Sequence, residues 1–159
     1  MKVTTKTGDQ GNTGIKDKRL EKDHVIIDLL GHIDEVMAHF ILTQANFPKY
    51  TQDFKKRVDE LIITTAIIAG FKDESAFSIE LVENLENEIA KIADSCNGFV
   101  YPFDDPYRAQ LNLLRTIVRR MERVMVSAFK QTTDYPTIRV YVNRLSDYVF
   151  IMINKKDEM

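Results

Sequence analysis

The segment Asp105–Ala128 reads DPYRAQLNLLRTIVRRMERVMVSA, and its apolar residues recur every three or four positions. That period is typical of an amphipathic α-helix with one face turned to a core. Asp105 offers a side-chain acceptor to the first backbone N–H groups and Pro106 a preset φ, so the helix is expected to begin here. Its expected core positions are Leu111, Leu114, Val118, Met121, Met125 and Ala128.

Four other segments have the same spacing, at about 24–45, about 52–69, from after Ser78 to Cys96, and from near Pro136 to Met152. Thr51 is expected to cap the second of them, whose apolar face would contain Phe54, Val58, Leu61, Thr65 and Ile68. Gly98 is expected to adopt the left-handed conformation beyond the third. No pattern of period two predicts a strand, and residues 1–23 and 97–105 look irregular. The sequence therefore predicts an all-α fold, a five-helix antiparallel bundle over residues 24–159, preceded by an irregular loop over residues 1–23.

The composition limits the classes of function. The chain has 159 residues, of which 44% are hydrophobic and 29% charged, and a net charge of −2. That length predicts one globular domain, and so small a charge gives no bulk attraction to nucleic acid or to a membrane surface. Apolar runs are shorter than the roughly 20 residues of a membrane span. The amino terminus lacks an apolar signal region and Cys96 is the only cysteine, so we expect a soluble cytoplasmic protein.

The stretch Thr5–Gly14, TKTGDQGNTG, combines glycines and threonines and is followed by Lys16, Lys18, Arg19 and Lys22. Glycines let backbone N–H groups approach an anion, and hydroxyl and ammonium groups add donors, which is the chemistry of a phosphate cradle. The spacing is not that of a P-loop. A flexible polar tail is the alternative.

Arg115, Arg119 and Arg123 recur every four residues, with Arg120 beside them. Like charges at that spacing repel, so the row predicts anions opposite it. Carboxylates would suffice, and so would a triphosphate, because guanidinium groups match phosphate oxygens. A solvated basic face with Glu122 as partial neutraliser is the third interpretation.

Polar residues interrupt two apolar helix patterns. Asn143 and Asp147 lie one turn apart in the last helix, where they either make packing hydrogen bonds or bind a ligand. Asp34 lies beside the apolar face of the first helix, where it is either a surface residue or the partner of an arginine across an interface. His24, His32 and His39 lack the second Glu-x-x-His of a ferritin-like di-iron site, so no protein-only metal site is expected.

Phe99 follows Gly98 and is accompanied by Tyr101 and Phe103. This aromatic density is consistent with a core under a loop or with a flat hydrophobic ligand.

Together and in order, these stretches resemble PduO-type ATP:cob(I)alamin adenosyltransferases. The matching stretches are Thr5-x-Thr7-Gly8-Asp9-x-Gly11-x-Thr13-Gly14, Gly31-x-x-Asp34-Glu35, Phe99-Val100-x-Pro102, Arg115-Thr116-x-x-Arg119-Arg120-x-Glu122-Arg123 and Asn143-Arg144-Leu145-Ser146-Asp147-Tyr148. The sequence departs from the family's pattern at Phe103-Asp104, at Met37 and in a shortened stretch before Arg19.

The resemblance implies a homotrimer that binds ATP between subunits and transfers its 5′-deoxyadenosyl group to the cobalt(I) of cobalamin or another corrinoid, releasing triphosphate, with Mg²⁺ accompanying ATP. It implies catalytic roles for Arg119, Arg115, Asp34 and Phe99, with Arg115 paired to Asp34 across the interface. The implied ATP-binding residues are Thr5, Lys6, Thr7, Gly8, Asp9, Gly11, Thr13, Lys22, Arg119, Arg120, Glu122, Arg123 and Asn143. Phe99, Tyr101 and Phe103 would contact the corrinoid. A corrinoid reductase and an adenosylcobalamin-dependent enzyme are the implied partners. The alternative is a non-enzymatic ATP- or corrinoid-binding bundle, a carrier or regulator that diverged from this family.

Overall fold

The computed structural model describes residues 3–51, 53–94, 96 and 98–155. A β-hairpin of β1 (Asn12–Ile15) and β2 (Lys18–Glu21) precedes five helices, which are α1 (Val25–Asn46), α2 (Phe54–Ile68), α3 (Ile79–Ala93), α4 (Pro106–Ala128) and α5 (Pro136–Asn154). A single 3-10 turn, Glu74–Ala76, lies between α2 and α3. The all-α fold of five helices predicted from the sequence is confirmed. None of the helices in the described ranges is long and apolar enough to cross a bilayer.

Helix α4 packs against both α1 and α5, while α2 packs on α1 and α3 packs on α5. The helices α1 and α4 are antiparallel, since Gln110 bonds to Thr43 near one end and Arg120 to Glu35 further along. The helices α3 and α5 run in the same direction: the segment just before α3 contacts Tyr141 through Phe77, and Cys96, just after α3, contacts Ile151. The exposed middle of α3 therefore lies beside the first half of α5.

The expected start of α4 is confirmed. The Asp105 carboxylate accepts a hydrogen bond from the Arg108 backbone N–H at 3.0 Å, with Pro106 at the first helical position. The expected core face is also confirmed at Leu111, Leu114, Val118, Met121 and Met125, which are buried, while Ala128 is only partly buried. Burial of a side chain of this size contributes about 1.5–3 kcal/mol, so this face contributes a large part of the core's stability.

Two expectations for α2 are wrong. The helix begins at Phe54 rather than near 52, and Thr51 is not its cap, because its hydroxyl donates to the Phe47 carbonyl at 2.8 Å instead. The expected buried face is confirmed at Phe54, Leu61 and Ile68. Val58 and Thr65 are only partly buried, and the core also contains Arg57, Glu60 and Thr64. Arg57 and Glu60 occupy core positions because they have hydrogen-bonding partners there.

Those partners form a buried network between α2, α3 and α5. Arg57, fully buried, donates through Nη2 to the Glu88 carboxylate at 3.1 Å, and its Nη1 lies 3.4 Å from Glu60 Oε2. The Tyr141 hydroxyl donates to Glu60. Burial raises the pKa of the Glu60 carboxyl, although Tyr141 and Arg57 oppose the shift. Arg57 Nε and Nη1 and Glu60 Oε1 have no hydrogen-bond partner in the part of the chain that the structure describes, so the network is only partly satisfied there.

The third helix ends at Ala93, so Cys96 lies beyond it and is not a position on its apolar face, contrary to expectation. Gly98 has φ +74°, the expected left-handed value, within the loop that follows.

The amino-terminal region is not wholly irregular as expected, because β1 and β2 form an antiparallel hairpin with Ile15 opposite Lys18. Its two turn residues are Lys16 and Asp17, and Lys16 has a positive φ of 23°. The short polar strands have no apolar alternation to reveal them.

Candidate active site

The arginine row of α4 divides into paired and unpaired cations. Arg120 donates to Glu35 on α1, which lowers the pKa of that carboxyl, chiefly through the hydrogen bond. Arg119 and Arg123 are exposed, and within the described ranges neither has a hydrogen-bond or salt-bridge partner. Of the arginines in this row, only Arg120 is therefore paired with a carboxylate of the described residues. Arg119 and Arg123 remain available to an anionic ligand.

A groove of about 350 Å³ runs between α4 and α5. Its lining residues include Glu122, which adjoins Arg123 in sequence, and Asn143, Arg139 and Arg144. The Asn143 side chain donates through Nδ2 to Glu122 at 2.7 Å and accepts through Oδ1 from Arg144 at 3.0 Å. Arg144 also donates through Nε to Glu86 of α3 at 2.7 Å. The amide of Asn143 is thus held at both ends in the groove.

Asp147 lies one turn beyond Asn143 on α5, and the charged groups of the groove affect its pKa. Its pKa is raised, first by burial and further by the negative charge of Glu122, while Arg144 and Arg119 act in the opposite direction. Asp147 thus lies within electrostatic range of Arg119 and Glu122 on the face shared by α4 and α5. Asn143 and Asp147 are both exposed there, so neither packs in the core.

Phe99 is 44% exposed and is not a core residue. Its ring contacts those of Tyr101 and Phe150, with centroids 4.8 and 6.0 Å away, and the Arg115 guanidinium carbon lies 5.4 Å from its centroid. Tyr101 and Phe103 are 72% and 92% exposed. The loop therefore presents an uncovered aromatic surface at the amino-terminal half of α4.

Backbone and side-chain contacts fix this aromatic loop to the bundle. The Val100 backbone N–H donates to Asn154 Oδ1 at 2.8 Å, which ties the loop to the end of α5. Arg115 donates through Nε and Nη2 to Asn112 Oδ1 at 3.1 and 3.0 Å. Burial lowers the pKa of Arg115, and Arg119 lowers it further by repulsion.

Asp34 is exposed on α1 and has no hydrogen-bond or salt-bridge partner among the described residues. Within one chain Arg115 does not contact it, because Arg115 is held by Asn112 and Phe99. The expected pair would have to form between chains. His24 caps α1 by accepting from the Ile26 N–H at 3.1 Å, and the described ranges hold no group of three or more His, Cys, Asp or Glu side chains suited to a metal.

The loop before β1 is organised by the hairpin. Arg19 donates to the Thr7 carbonyl at 2.7 Å, and the Thr5 and Thr7 hydroxyls lie 2.9 Å apart. A Cβ on Gly8 would lie 3.3 Å from Lys22 Nζ, so the glycine lets that ammonium lie against the loop backbone. Gly11 has φ +81°, and its carbonyl accepts from the Lys22 N–H at 2.8 Å. Exposed hydroxyls, backbone and an ammonium group are thus brought together.

The expected ATP-binding residues form two separate groups in one chain. The loop group comprises Thr5, Lys6, Thr7, Gly8, Asp9, Gly11, Thr13 and Lys22, and the helix group comprises Arg119, Arg120, Glu122, Arg123 and Asn143. No hydrogen bond or salt bridge within the described residues joins the two groups. Sequence reasoning missed Asn112 and Glu86; the spacing of three between Asn112 and Arg115 was the one local signal for the first.

The comparisons with known proteins identify one family throughout. The family model described as cobalamin adenosyltransferase matches residues 3–156. A corrinoid adenosyltransferase of Bacillus subtilis is 32% identical over 161 residues, covering 94% of this chain and 83% of the relative. One from Citrobacter freundii is 26% identical, with coverages of 95% and 92%. The fold is similar to that of a PduO-type ATP:corrinoid adenosyltransferase variant from Lactobacillus reuteri complexed with cobalamin and ATP, with a TM-score of 0.81, 23% identity and coverages of 96% and 92%.

Proposed function

The chain belongs to the cobalamin adenosyltransferase family, and on that premise we propose that it transfers the 5′-deoxyadenosyl group of ATP to the cobalt(I) of a corrinoid. The observation that carries the proposal is Arg119, an exposed guanidinium that has no hydrogen-bond or salt-bridge partner among the described residues. It lies one turn of α4 before Glu122, which accepts a hydrogen bond from Asn143. A free cation next to neutral and acidic hydrogen-bonding groups suits a nucleotide, which presents phosphates on one side and ribose hydroxyls on the other.

In the proposed reaction both reacting centres belong to the substrates. Cobalt(I) attacks the ribose 5′ carbon, a cobalt–carbon bond forms, and the carbon–oxygen bond breaks with its electron pair leaving on triphosphate. The protein then needs no nucleophile of its own and contributes orientation and electrostatics. Arg119 and Arg123 stabilise the charge that grows on the leaving group. Glu122 would repel phosphate, so we assign it with Asn143 to the sugar or base.

We assign residues 1–23 as the ATP-phosphate-binding loop and residues 24–159 as the bundle domain. The contacts of Lys22 and Arg19 with the loop backbone support this division, because they gather donors around Thr5 to Gly11. Mg²⁺ fits as an ion carried by the triphosphate oxygens, since the described residues include no carboxylate or histidine cluster to hold it. It would screen triphosphate charge there.

We assign the corrinoid to the aromatic surface of Phe99, Tyr101 and Phe103. Its exposure supports this, because a flat apolar ligand would cover side chains that otherwise face water. Phe99 presses on the lower face of the corrinoid, displaces its lower ligand and so favours reduction to cobalt(I). Arg115, stacked near the Phe99 ring, links this surface to the arginine row.

We propose a homotrimer whose active sites lie between subunits. Among the described residues no hydrogen bond or salt bridge joins the loop to Arg119 within one chain. This supports the proposal, because a neighbouring subunit could supply the loop. Asp34, which has no hydrogen-bond or salt-bridge partner among the described residues, is exposed on the same helix as Ile41 and Leu42, which are 56% and 48% exposed. Pairing Asp34 with Arg115 of a neighbour would neutralise both charges while those apolar side chains are buried.

We further propose a cytoplasmic location, which the single cysteine supports. Cobalt(I) has to be generated by a reductant, so a corrinoid reductase is the proposed supplier. An adenosylcobalamin-dependent enzyme is the proposed consumer of the product.

The proposal is tested by mixing the purified protein with ATP, Mg²⁺ and chemically reduced cob(I)alamin and recording the absorption spectrum. The spectrum of adenosylcobalamin, with release of triphosphate, is the expected result. Binding of ATP without any product would contradict the proposal and favour the non-enzymatic carrier or regulator.

A further inference from the structure

Three helices contribute to one chain of hydrogen bonds that ends at the nucleotide groove. Glu86 on α3 accepts from Arg144 Nε, Arg144 Nη1 donates to Asn143 Oδ1, and Asn143 Nδ2 donates to Glu122 on α4. The three distances are 2.7, 3.0 and 2.7 Å. Charged groups take part in every link, which makes these hydrogen bonds stronger than neutral ones.

The chain selects one of the two orientations of the Asn143 amide. A flip by 180° would set the amide NH₂ against the Arg144 guanidinium and the amide oxygen against the Glu122 carboxylate. Both contacts would then be repulsive, between two donors and between two acceptors. In the selected orientation the second Nδ2 proton stays available for a ligand, and so does the Glu122 oxygen that has no partner among the described residues.

Arg144 holds this orientation only while its own guanidinium stays in place. The alternative partner on its helix is Asp147, whose Oδ2 lies 3.8 Å from Nη1. The contact with Glu86 is shorter and comes from a different helix, so it prevents the guanidinium from turning along α5. The hydrogen bond with Glu86 also raises the pKa of Arg144.

We propose that Glu86 is a positioning residue for ATP, acting through Arg144 to fix the amide of Asn143 toward the nucleotide. The proposal rests on the proposed function, because it concerns the nucleotide side of that same site. Glu86 lies on α3, which otherwise contributes nothing to the site, and its role is to orient groups on α5 and α4.

The test compares Glu86→Ala with Glu83→Ala, a control on the same helix whose exposed carboxylate has no hydrogen-bond or salt-bridge partner among the described residues. For an ion pair as exposed as this one, Glu86→Ala is expected to raise the KM for ATP about threefold to fivefold with kcat nearly unchanged. The KM for the corrinoid should stay the same. Glu86→Gln should restore most of the affinity, because its amide oxygen still accepts from Arg144 Nε.

A double-mutant cycle tests the route of the effect. In an Arg144→Ala background, Glu86→Ala should add no further loss if it acts through that arginine. Equal KM values for Glu86→Ala and Glu83→Ala would overturn the proposal, and so would an equal loss for ATP and corrinoid, which would indicate a merely structural role.

ATP titration by calorimetry separates this proposal from the proposed function. If the wild-type protein binds ATP but forms no adenosylcobalamin, the proposed activity fails, while the ATP dissociation constants of the same variants still decide the role of Glu86. A wild-type protein that binds no ATP would overturn both.

Discussion

Replacement of Phe99 by alanine distinguishes a packing role from contact with the corrinoid. The ring is 44% exposed, so its truncation removes about half of the free energy that full burial of the side chain would contribute, or about 1 kcal/mol. Its ring and cation contacts raise the expected loss to about 1–2 kcal/mol of unfolding free energy, which lowers Tm by roughly 2–8 °C for a chain of this length. Phe77→Ala is the matched core control, since Phe77 is 3% exposed and its loss should cost about 3–5 kcal/mol.

The assay compares two corrinoid substrates at saturating ATP. When cob(II)alamin has to be reduced on the enzyme, Phe99→Ala should lose most of its activity, because no ring displaces the lower ligand. When cob(I)alamin is supplied already reduced, the loss should be smaller. ATP affinity should stay the same in both assays.

Two results would contradict contact between Phe99 and the corrinoid. A Tm as low as that of Phe77→Ala, with normal specific activity of the folded protein on both substrates, would make Phe99 a packing residue. Equal losses on both substrates would contradict the role in ligand displacement.

Three further predictions concern charged groups. Arg119→Ala should lower kcat by about 10²–10³ at saturating ATP, and near-normal turnover would contradict its role. Its Tm should change little, because the Arg119 guanidinium has no partner among the described residues and repels Arg115. The protein should sediment as a homotrimer, and Arg115→Ala and Asp34→Ala should show coupling in a double-mutant cycle; a monomer or additive effects would exclude the pair. Arg120 lowers the pKa of Glu35 below 4.5, so the pair stabilises the fold above this pH and loses its contribution as the pH falls through the lowered pKa. Acidification from about pH 5 to pH 3 should therefore lower the Tm of the wild type more than the Tm of Arg120→Ala.

Local chemistry explains which parts of the fold could be predicted. The start of α4 follows from Asp105 and Pro106, whose effects act within one turn, and its buried face follows from the spacing of apolar residues. The face of α2 could not be predicted in the same way. Arg57 reads as a surface residue, and only the tertiary placement of Glu88 and Glu60 makes its burial tolerable.

The candidate site, too, could be predicted from local sequence only in part. The repeat of four predicts that the α4 arginines share a face, but it cannot tell which of them are neutralised. That depends on Glu35, which meets Arg120 across 85 residues of sequence. Glu86 likewise contacts the site from a distant part of the sequence, and no short motif predicts that contact. The hairpin was missed because its strands are short and polar, and the expected pairing of Asp34 with Arg115 stays a prediction.

The partly satisfied network around Arg57 has a consequence for the axial alignment of the helices. If α5 slid by one helical turn, about 5.4 Å, against α2, the Tyr141 hydroxyl would leave Glu60 and the arginine would lose part of its surroundings. An unpaired buried charge costs several kcal/mol, so misaligned packings of this bundle are penalised more steeply than apolar contacts alone would allow. Because Asn143 lies on the same helix as Tyr141, the core ions also set the height at which its amide meets Glu122. Replacing them with well-packed apolar residues could leave the fold as stable as before while loosening that alignment.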